Sequence, residues 1–175
     1  MERNRISNYL YREQDGNTIK GVGVYAYIHN GDKYFLTQVI IYEDGIIDCW
    51  ELVDLDGLEK KVRQGWIVTN LPIGTVITLP VMAPGESATL NRATGDDEVE
   101  FVKLVRDELN ELQGKPTTRQ EWDKAVESWR ESKTAGTQQA ALEAYERIPK
   151  WGLNLHNAYS VLEDGEPEEL FAESL

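Results

Sequence analysis

Residues 19–42 read IKGVGVYAYIHNGDKYFLTQVIIY, and this stretch decides the fold. Apolar residues alternate with other types from Ile19 to His29, which is the period of a β-strand. Asn30-Gly31 predicts a two-residue hairpin turn, because a type I′ turn requires positive φ at both central residues. The residues from Lys33 to Tyr42 are rich in β-branched and aromatic types and predict a second strand. The sequence therefore predicts a long antiparallel hairpin.

The flanking residues extend this hairpin into a larger sheet. Residues 1–18 are polar, with a turn signal at Asp15-Gly16-Asn17, and predict a loose start or an edge strand. Glu43-Asp44-Gly45 predicts the next turn and Ile46–Leu52 a third strand, which completes a meander. The further predicted elements are a short helix from an Asp54 cap to about Gln64, with Gly65 after its end, and strands over residues 66–69, 75–81 and 87–91.

The pattern changes to helical spacing after about residue 93. An acidic start at residues 94–98 precedes apolar residues that repeat at helical spacing. Thr118 and Glu121 predict a capping box that opens a second helix, and a third helix is predicted from residue 138 to residue 148. Residues 151–162 are ambiguous, and the tail after them holds six acidic residues and no basic one.

Together these patterns predict an α+β fold. We expect an antiparallel sheet of five or six strands that begins as a meander, with one intervening short helix and a three-helix C-terminal segment. The predicted organisation is a β-rich domain over residues 1–92 and a helical segment with an acidic C-terminal tail over residues 93–175. The sequence leaves open whether the helices pack on the sheet as one domain or form a separate domain.

The composition indicates a globular, acidic and cytoplasmic protein. Of 175 residues, 41% are hydrophobic and 28% are charged, which is sufficient for a packed core, and the net charge is −13. This charge disfavours direct binding to nucleic acid or to an anionic membrane, because phosphate neutralisation requires a basic surface. A single cysteine, no apolar leader and no apolar stretch of about 20 residues favour the cytosol.

The acidic residues are unevenly distributed along the chain. Residues 1–92 carry nine Lys or Arg against twelve Asp or Glu, whereas residues 93–175 carry nine against nineteen. Two explanations are open: recognition of a basic protein partner, or solubility alone.

The sequence contains no recognised catalytic or cofactor motif. The phosphate-binding loop, nucleophile elbow, zincin and paired-cysteine patterns are all absent. Gly21-Val22-Gly23 is half of a dinucleotide fingerprint, but it lies inside a predicted strand, where its glycines predict a bulge or a close backbone approach. His29 and His156 are far apart, and no ligands are spaced for zinc. We therefore predict no catalytic residue, no cofactor and no metal.

The densest group of chemically active side chains lies in residues 42–51, YEDGIIDCWE. Asp44, Asp48 and Glu51 offer a carboxylate pair or a hard-cation site, although the spacing does not match a calcium loop. Cys49 would act as a nucleophile only with a nearby base. The alternative is a tight hairpin with Asp44-Gly45 at its turn and Cys49 as a small buried apolar residue.

Seven residues are candidates for contact with a protein partner. The carboxylates would complement a basic surface. The two tryptophans, one helical face apart, either pack in the core or form an exposed anchor patch, since Trp is enriched at binding hot spots. The candidates are Asp44, Asp48, Glu51, Asp96, Asp97, Trp122 and Trp129.

Three short motifs resemble a small uncharacterised bacterial domain family: YEDGIIDCW at residues 42–50, GWIVT at 65–69 and PIG at 72–74. The resemblance covers about residues 19–80 and implies no agreed activity. In style, the chain is also similar to immunity proteins of bacterial toxin systems, which are small, acidic, cytosolic and free of catalytic motifs.

Three functions are compatible with these observations. The first is a protein-binding or inhibitory module, such as an immunity protein, that neutralises a basic protein partner. The second is a subunit of a larger bacterial or phage defence-related assembly that docks through the helices. The third is an enzyme that uses the carboxylates near Asp44–Glu51. We rank the binding module first and expect no enzymatic activity.

Overall fold

A computed structural model of the chain describes residues 9–80, 85–94 and 97–150. The predicted α+β class, with an antiparallel sheet followed by helices, is confirmed. The strands are β1 (Leu10–Gln14), β2 (Asn17–Asn30), β3 (Lys33–Tyr42), β4 (Ile47–Asp48), β5 (Leu52–Val53), β6 (Ile67–Val68), β7 (Val76–Thr78) and β8 (Ser87–Thr89). The helices are α1 (Leu55–Arg63), α2 (Glu98–Leu112), α3 (Thr118–Ser132) and α4 (Ala135–Glu146).

The chain divides into two compact units, Met1–Gly114 and Lys115–Leu175. The first unit contains the eight described strands together with α1 and α2, and the second contains α3 and α4. The division therefore follows α2, whereas the sequence pattern changes before α2. Among the residues that the structure describes, no helix has the length and apolarity needed to cross a membrane.

β2 and β3 form the predicted long hairpin, which is the spine of the sheet. They pair antiparallel and end at the pair Asn30–Lys33. The turn therefore consists of Gly31 and Asp32, and the prediction that Asn30-Gly31 forms its central pair is wrong by one residue. Gly31 has a φ of 65° and Asp32 has no positive φ. A type II′ turn, with glycine at the first central position, fits this pattern better than the predicted type I′ turn.

Short strands extend both edges of this hairpin. β1 pairs with the first part of β2 as the predicted edge strand, and β6 pairs with the second part. On the other side, β3 pairs antiparallel with β4 and parallel with β7. β5 then pairs with β4, and β8 with β7. The described sheet thus has eight strands rather than five or six, partly because the predicted third strand is split into β4 and β5.

The core of the first unit lies on the face of the sheet where α2 packs against β2 and β3, and where α1 packs against α2, β5 and β6. Side chains alternate in direction along a strand, and Ile28, Val39 and Ile41 point to this face and are fully buried. The helices contribute residues such as Leu58 and Phe101, which are also fully buried. Burying one such side chain stabilises the fold by about 1.5–3 kcal/mol, so a one-residue slip of the hairpin would lose several such contributions.

Gly21 allows a close approach of the kind that the sequence predicts. A Cβ at this position would lie 2.8 Å from the carbonyl oxygen of Ile41 and 2.8 Å from Cδ1 of Tyr42. The Tyr42 ring therefore lies over the backbone of Gly21, where no larger residue fits. At Gly23, a Cβ would lie 3.0 Å from the flexible Gln38 side chain, which is a milder conflict.

Helix α1 begins and ends as its sequence predicts. Asp54 is the N-cap, and its Oδ1 accepts a hydrogen bond of 2.8 Å from the Gly57 N–H. Gln64 is the C-cap, and Gly65 follows it with a φ of 70°. Glycine takes this conformation without a steric penalty, so it ends the helix.

The second unit contains two helices, α3 and α4, which pack on each other around their own core. The residues at which these two helices begin differ from the prediction. The capping box of α3 joins Thr117 and Gln120 rather than Thr118 and Glu121. Helix α4 begins at Ala135, three residues before the predicted start, because Thr134 serves as its N-cap. The ambiguous residues 151–162 and the acidic tail lie outside the described residues.

Candidate functional site

The acidic cluster of residues 42–51 folds into two successive tight reversals. At the first, the Tyr42 N–H donates to the Ile46 carbonyl at 2.9 Å, and the Gly45 N–H donates to the Tyr42 carbonyl at 2.9 Å. Asp44 Oδ1 accepts from the Ile46 N–H at 3.2 Å. Gly45 has a φ of 91°, which glycine adopts without strain. This reversal is the predicted turn at Asp44-Gly45.

The second reversal, which the sequence analysis missed, is centred on Trp50. The Cys49 N–H donates to the Glu51 carbonyl at 3.1 Å, and Asp48 Oδ1 accepts from the Trp50 N–H at 3.0 Å. The prediction of one strand over Ile46–Leu52 is therefore wrong. The physical reason is local, because the Asp48 side chain offers the backbone a bond that competes with the strand ladder.

Trp50 adopts a backbone conformation that disfavours its side chain. Its φ is 72°, in the left-handed region, and its side chain is a bulky ring. Such a residue is a genuine outlier, because its Cβ crowds the following carbonyl oxygen. We call residues 48–52 the Trp50 hairpin.

An aromatic cluster packs against the Trp50 ring. The ring lies 5.0 Å from Phe35 at 59° and 6.4 Å from Trp66 at 81°, measured between centroids. The Trp66 Nε1–H donates to the Cys49 carbonyl at 3.2 Å and so ties the hairpin to the residue that precedes β6. Trp50 nevertheless remains 43% exposed, and the neighbouring Leu52 is 62% exposed. The hairpin therefore presents two apolar side chains, two residues apart, to solvent.

An ion pair lies beside this apolar surface. Lys61 Nζ is 2.6 Å from Glu51 Oε2 and 4.7 Å from the centroid of the Trp66 ring. The Glu51 side chain is 58% exposed, so it reaches solvent while it holds Lys61. The ammonium thus binds a carboxylate and an indole at the same time.

Asp44 has a structural partner on the edge strand. It forms a salt bridge with Arg12 of β1, whose guanidinium lies 4.7 Å from the centroid of the Tyr42 ring. Burial raises the pKa of the Tyr42 hydroxyl, and the Asp48 carboxylate raises it further. Through its salt bridge with Arg12, Asp44 ties β1 to the turn between β3 and β4.

Cys49 lies in the core rather than at an open site. Its side chain is fully buried, and Sγ–H donates to the Glu51 carbonyl at 3.5 Å. Burial raises the pKa of the thiol, so the thiolate is disfavoured. His29, the histidine of the β-region, stacks on Tyr34 with centroids 4.5 Å apart at 17°. Cys49 thus behaves as the small buried apolar residue of the alternative interpretation.

The other candidate residues lie elsewhere. Asp97 is the N-cap of α2, and its Oδ1 accepts from the Val99 N–H at 2.6 Å. Trp122 and Trp129 are 3% and 4% exposed, in the core of the second unit with residues of α4, rather than in an exposed anchor patch. Asp96 lies outside the described residues.

The structure brings together only part of the predicted site. Asp48 and Glu51 flank Trp50, and Asp44 lies at the preceding reversal. The residues missed by the sequence analysis are Trp50 and Leu52. One signal was present, because an Asp two residues before Trp50 is typical of a side-chain-bonded turn. Among the residues that the structure describes, no group of three or more His, Cys, Asp or Glu is placed to hold a metal ion.

The fold and the site define an α+β domain with two helices on one sheet face and an aromatic hairpin at its surface. Residues 9–116 match DUF7638, a domain of unknown function, and the chain belongs to this family. The match contains the sheet, α1 and α2, and it ends before α3. No curated protein and no solved structure matches the chain.

Proposed function

We propose that this chain is an acidic binding module that neutralises a basic protein partner, in the manner of an immunity protein, and that the Trp50 hairpin contacts this partner. One observation carries the proposal: Trp50 is 43% exposed although its backbone lies at a φ of 72°. Neither the exposure nor the conformation is what folding alone favours at this position.

The energetics of Trp50 support a role outside folding. A left-handed conformation costs a residue other than glycine about 1–2 kcal/mol. Strained residues cluster at ligand-binding and switch regions, where the surrounding structure holds them in place. Trp is also among the residues most enriched at binding hot spots. An exposed Trp held in a strained hairpin, with the exposed Leu52 beside it, fits a contact surface for a protein.

The charge of the chain supports a basic partner. The net charge is −13, and Glu51, Asp54 and Asp56 are exposed in or near the Trp50 hairpin. Complementary charge steers encounter and suppresses wrong partners, whereas the apolar centre of an interface supplies most of the affinity. The hairpin combines both features on one short segment.

The geometry favours binding over the two alternatives. An enzyme would need converging carboxylates, but Asp44 pairs with Arg12, Asp48 bonds the backbone of the hairpin and Glu51 pairs with Lys61. A docking surface on the helices would need an apolar patch. Within the described parts of α2–α4, the large exposed hydrophobic residues are limited to Val99.

The test is affinity capture from a lysate of the native host at low ionic strength. The intact chain is compared with the variants W50A, L52S and V99S. Leu52 and Val99 are both 62% exposed, so V99S is a matched control. We expect a basic protein that is retained by the parent and V99S, weakened by W50A and L52S, and released at high salt. Equal retention by all four proteins would contradict the proposal.

A further inference from the structure

The tryptophans of this chain differ in how they meet cations. Three of the four described tryptophans have a cationic group of the chain over the ring, whereas Trp50 has none among the described residues. The distances from the cation to the ring centroid are 4.7 Å for Lys61 on Trp66, 4.6 Å for Arg119 on Trp122 and 3.9 Å for Lys133 on Trp129. Trp50 is also the most exposed of the four. The ring that is most accessible is thus the one without a cation.

We propose that the exposed Trp50 ring and the second carboxylate oxygen of Glu51 form a receptor for an arginine side chain of the partner protein. This inference rests on the proposed function of the Trp50 hairpin and specifies the chemistry that the hairpin recognises. The occupant is a guanidinium group presented by a basic protein.

Glu51 already binds one cation and has capacity for another. Its Oε2 accepts from Lys61 at 2.6 Å, while Oε1 has no partner in the described part of the chain. A carboxylate accepts hydrogen bonds at both oxygens, so the Lys61 pair leaves acceptor sites open. The 58% exposure of the side chain makes these sites accessible to a partner.

The chain itself shows the arrangement that the receptor requires. Lys61 lies between an indole, Trp66, and the carboxylate of Glu51. Trp50 is the residue before Glu51, so the chain carries a second indole next in sequence to this carboxylate. The two indoles meet edge to face, with centroids 6.4 Å apart. An incoming cation on Trp50 would therefore repeat, at the surface, a contact that the chain makes internally.

The Trp50 ring is held in place before a partner arrives. Phe35 and Trp66 contact it, and the bond from the Trp50 N–H to Asp48 fixes the backbone. A group that is ordered in the free protein loses less conformational freedom on binding. The strained backbone is thus consistent with a preorganised surface.

Arginine fits this site better than lysine. A planar guanidinium stacks flat on an indole while its N–H groups remain in the plane to donate to a carboxylate. Lys61 shows that an ammonium can make both contacts inside the chain. A lysine ammonium arriving from solution, however, is a compact, strongly hydrated charge with no planar surface to stack on the ring, so it gains less from the same two groups. Arginine is also enriched at binding hot spots, together with Trp.

The test uses the intact ¹⁵N-labelled chain and N-acetyl-arginine methylamide as the probe, at low ionic strength. The indole and backbone N–H signals of Trp50 and the backbone signal of Glu51 are followed by NMR. The lysine analogue tests the guanidinium, and the citrulline analogue, which has nearly the same shape without charge, tests the cation. We expect saturable shifts centred on these two residues, weaker binding of lysine and no binding of citrulline.

Two substitutions localise the site. E51Q is expected to weaken arginine binding about two- to fivefold, the range of an exposed ion pair. D123N is the matched control, because Asp123 is 53% exposed and pairs with Arg119, which itself lies over Trp122. D123N should leave binding unchanged. The inference is overturned if citrulline shifts the same signals, if the shifts spread over the acidic surface, or if E51Q binds as well as D123N.

The outcomes of the two experiments distinguish a failure of the arginine receptor from a failure of the proposed function. If capture of a partner depends on Trp50 but the chain does not bind the arginine probe, the proposed binding module stands and the arginine receptor is overturned. If the probe binds at Trp50 but the captured partner does not depend on Trp50, the arginine-binding chemistry of the hairpin stands, whereas its use as the surface that binds the partner is overturned.

Discussion

Replacing Trp50 by glycine or by alanine separates the backbone conformation of the hairpin from the packing of its ring. Both variants lose the ring and its contacts with Phe35 and Trp66, so these losses cancel when the two variants are compared. The remaining difference comes from the φ of 72°. Glycine adopts this conformation freely, whereas alanine does not.

The magnitude follows from two opposing contributions. Alanine in the left-handed region costs about 1–2 kcal/mol, while glycine loses about 0.5–1 kcal/mol more backbone entropy on folding. We therefore expect W50G to be more stable than W50A by roughly 0.5–1 kcal/mol. Leu52, which has no positive φ, supplies the control. There the order should reverse, with L52A more stable than L52G by a similar amount.

The assay is urea unfolding of the intact chain, monitored by far-UV circular dichroism. Tryptophan fluorescence is avoided because W50G and W50A lack one of the five tryptophans, which changes the signal itself. Midpoints are compared only where the slope with urea is unchanged, so that the difference reports stability. If W50A were as stable as W50G, or if positions 50 and 52 showed the same order, Trp50 would not be strained. The main support for a role outside folding would then be lost.

Three further predictions concern other parts of the fold. G21A should destabilise the chain by about 1–3 kcal/mol and G23A by less in urea unfolding, because a Cβ at Gly21 meets rigid neighbours; equal losses would contradict the close approach. The Cys49 thiol should resist a disulfide reagent in the folded chain. Burial raises the pKa of this thiol above the unfolded value of 9.0. The contribution of the thiol to the free energy of unfolding is therefore complete below pH 9.0 and is lost as the pH rises through the folded pKa. C49A should therefore show a shallower loss of stability on the alkaline side, and a parallel pH profile would refute this. T117A should cost about 1 kcal/mol by thermal unfolding and T118A less, because Thr117 is the N-cap of α3; the opposite order would support the capping box expected from sequence.

The long hairpin and the helices followed from sequence because their signals are repeated. Many alternating residues specify the buried and exposed faces of β2 and β3. An error of one residue in the predicted turn therefore leaves these faces as the sequence predicts them. Helix α1 has both an N-cap Asp and a following Gly, and it matches its prediction. For α3, neighbouring threonines offered two equivalent N-caps, and only the geometry decides between Thr117 and Thr118.

The candidate site depended on single contacts, which a sequence pattern does not contain. The bond from Asp48 to the Trp50 N–H reverses the chain within a segment whose residue types favour a strand. Arg12 and Lys61, which pair with the predicted carboxylates, come from distant positions. The burial of Trp122 depends equally on small residues of α4, whose position beside it is set by tertiary packing. Density of acidic residues therefore indicated the segment that carries the proposed site, but it did not indicate Trp50 and Leu52, whose exposure supports the proposal.

Two tryptophans of the hairpin region perform different tasks, and the difference bears on why Trp50 is present. The Trp66 ring packs under Lys61, and its Nε1–H donates to the Cys49 carbonyl, so Trp66 holds the hairpin in place. The Trp50 Nε1–H has no acceptor within the described residues, and its ring is 43% exposed. Packing against Phe35 and Trp66 explains why the ring is ordered, but a leucine or a phenylalanine would pack there as well. Neither leucine nor phenylalanine provides the indole N–H, and the proposed contact with a partner accounts for its presence at this position.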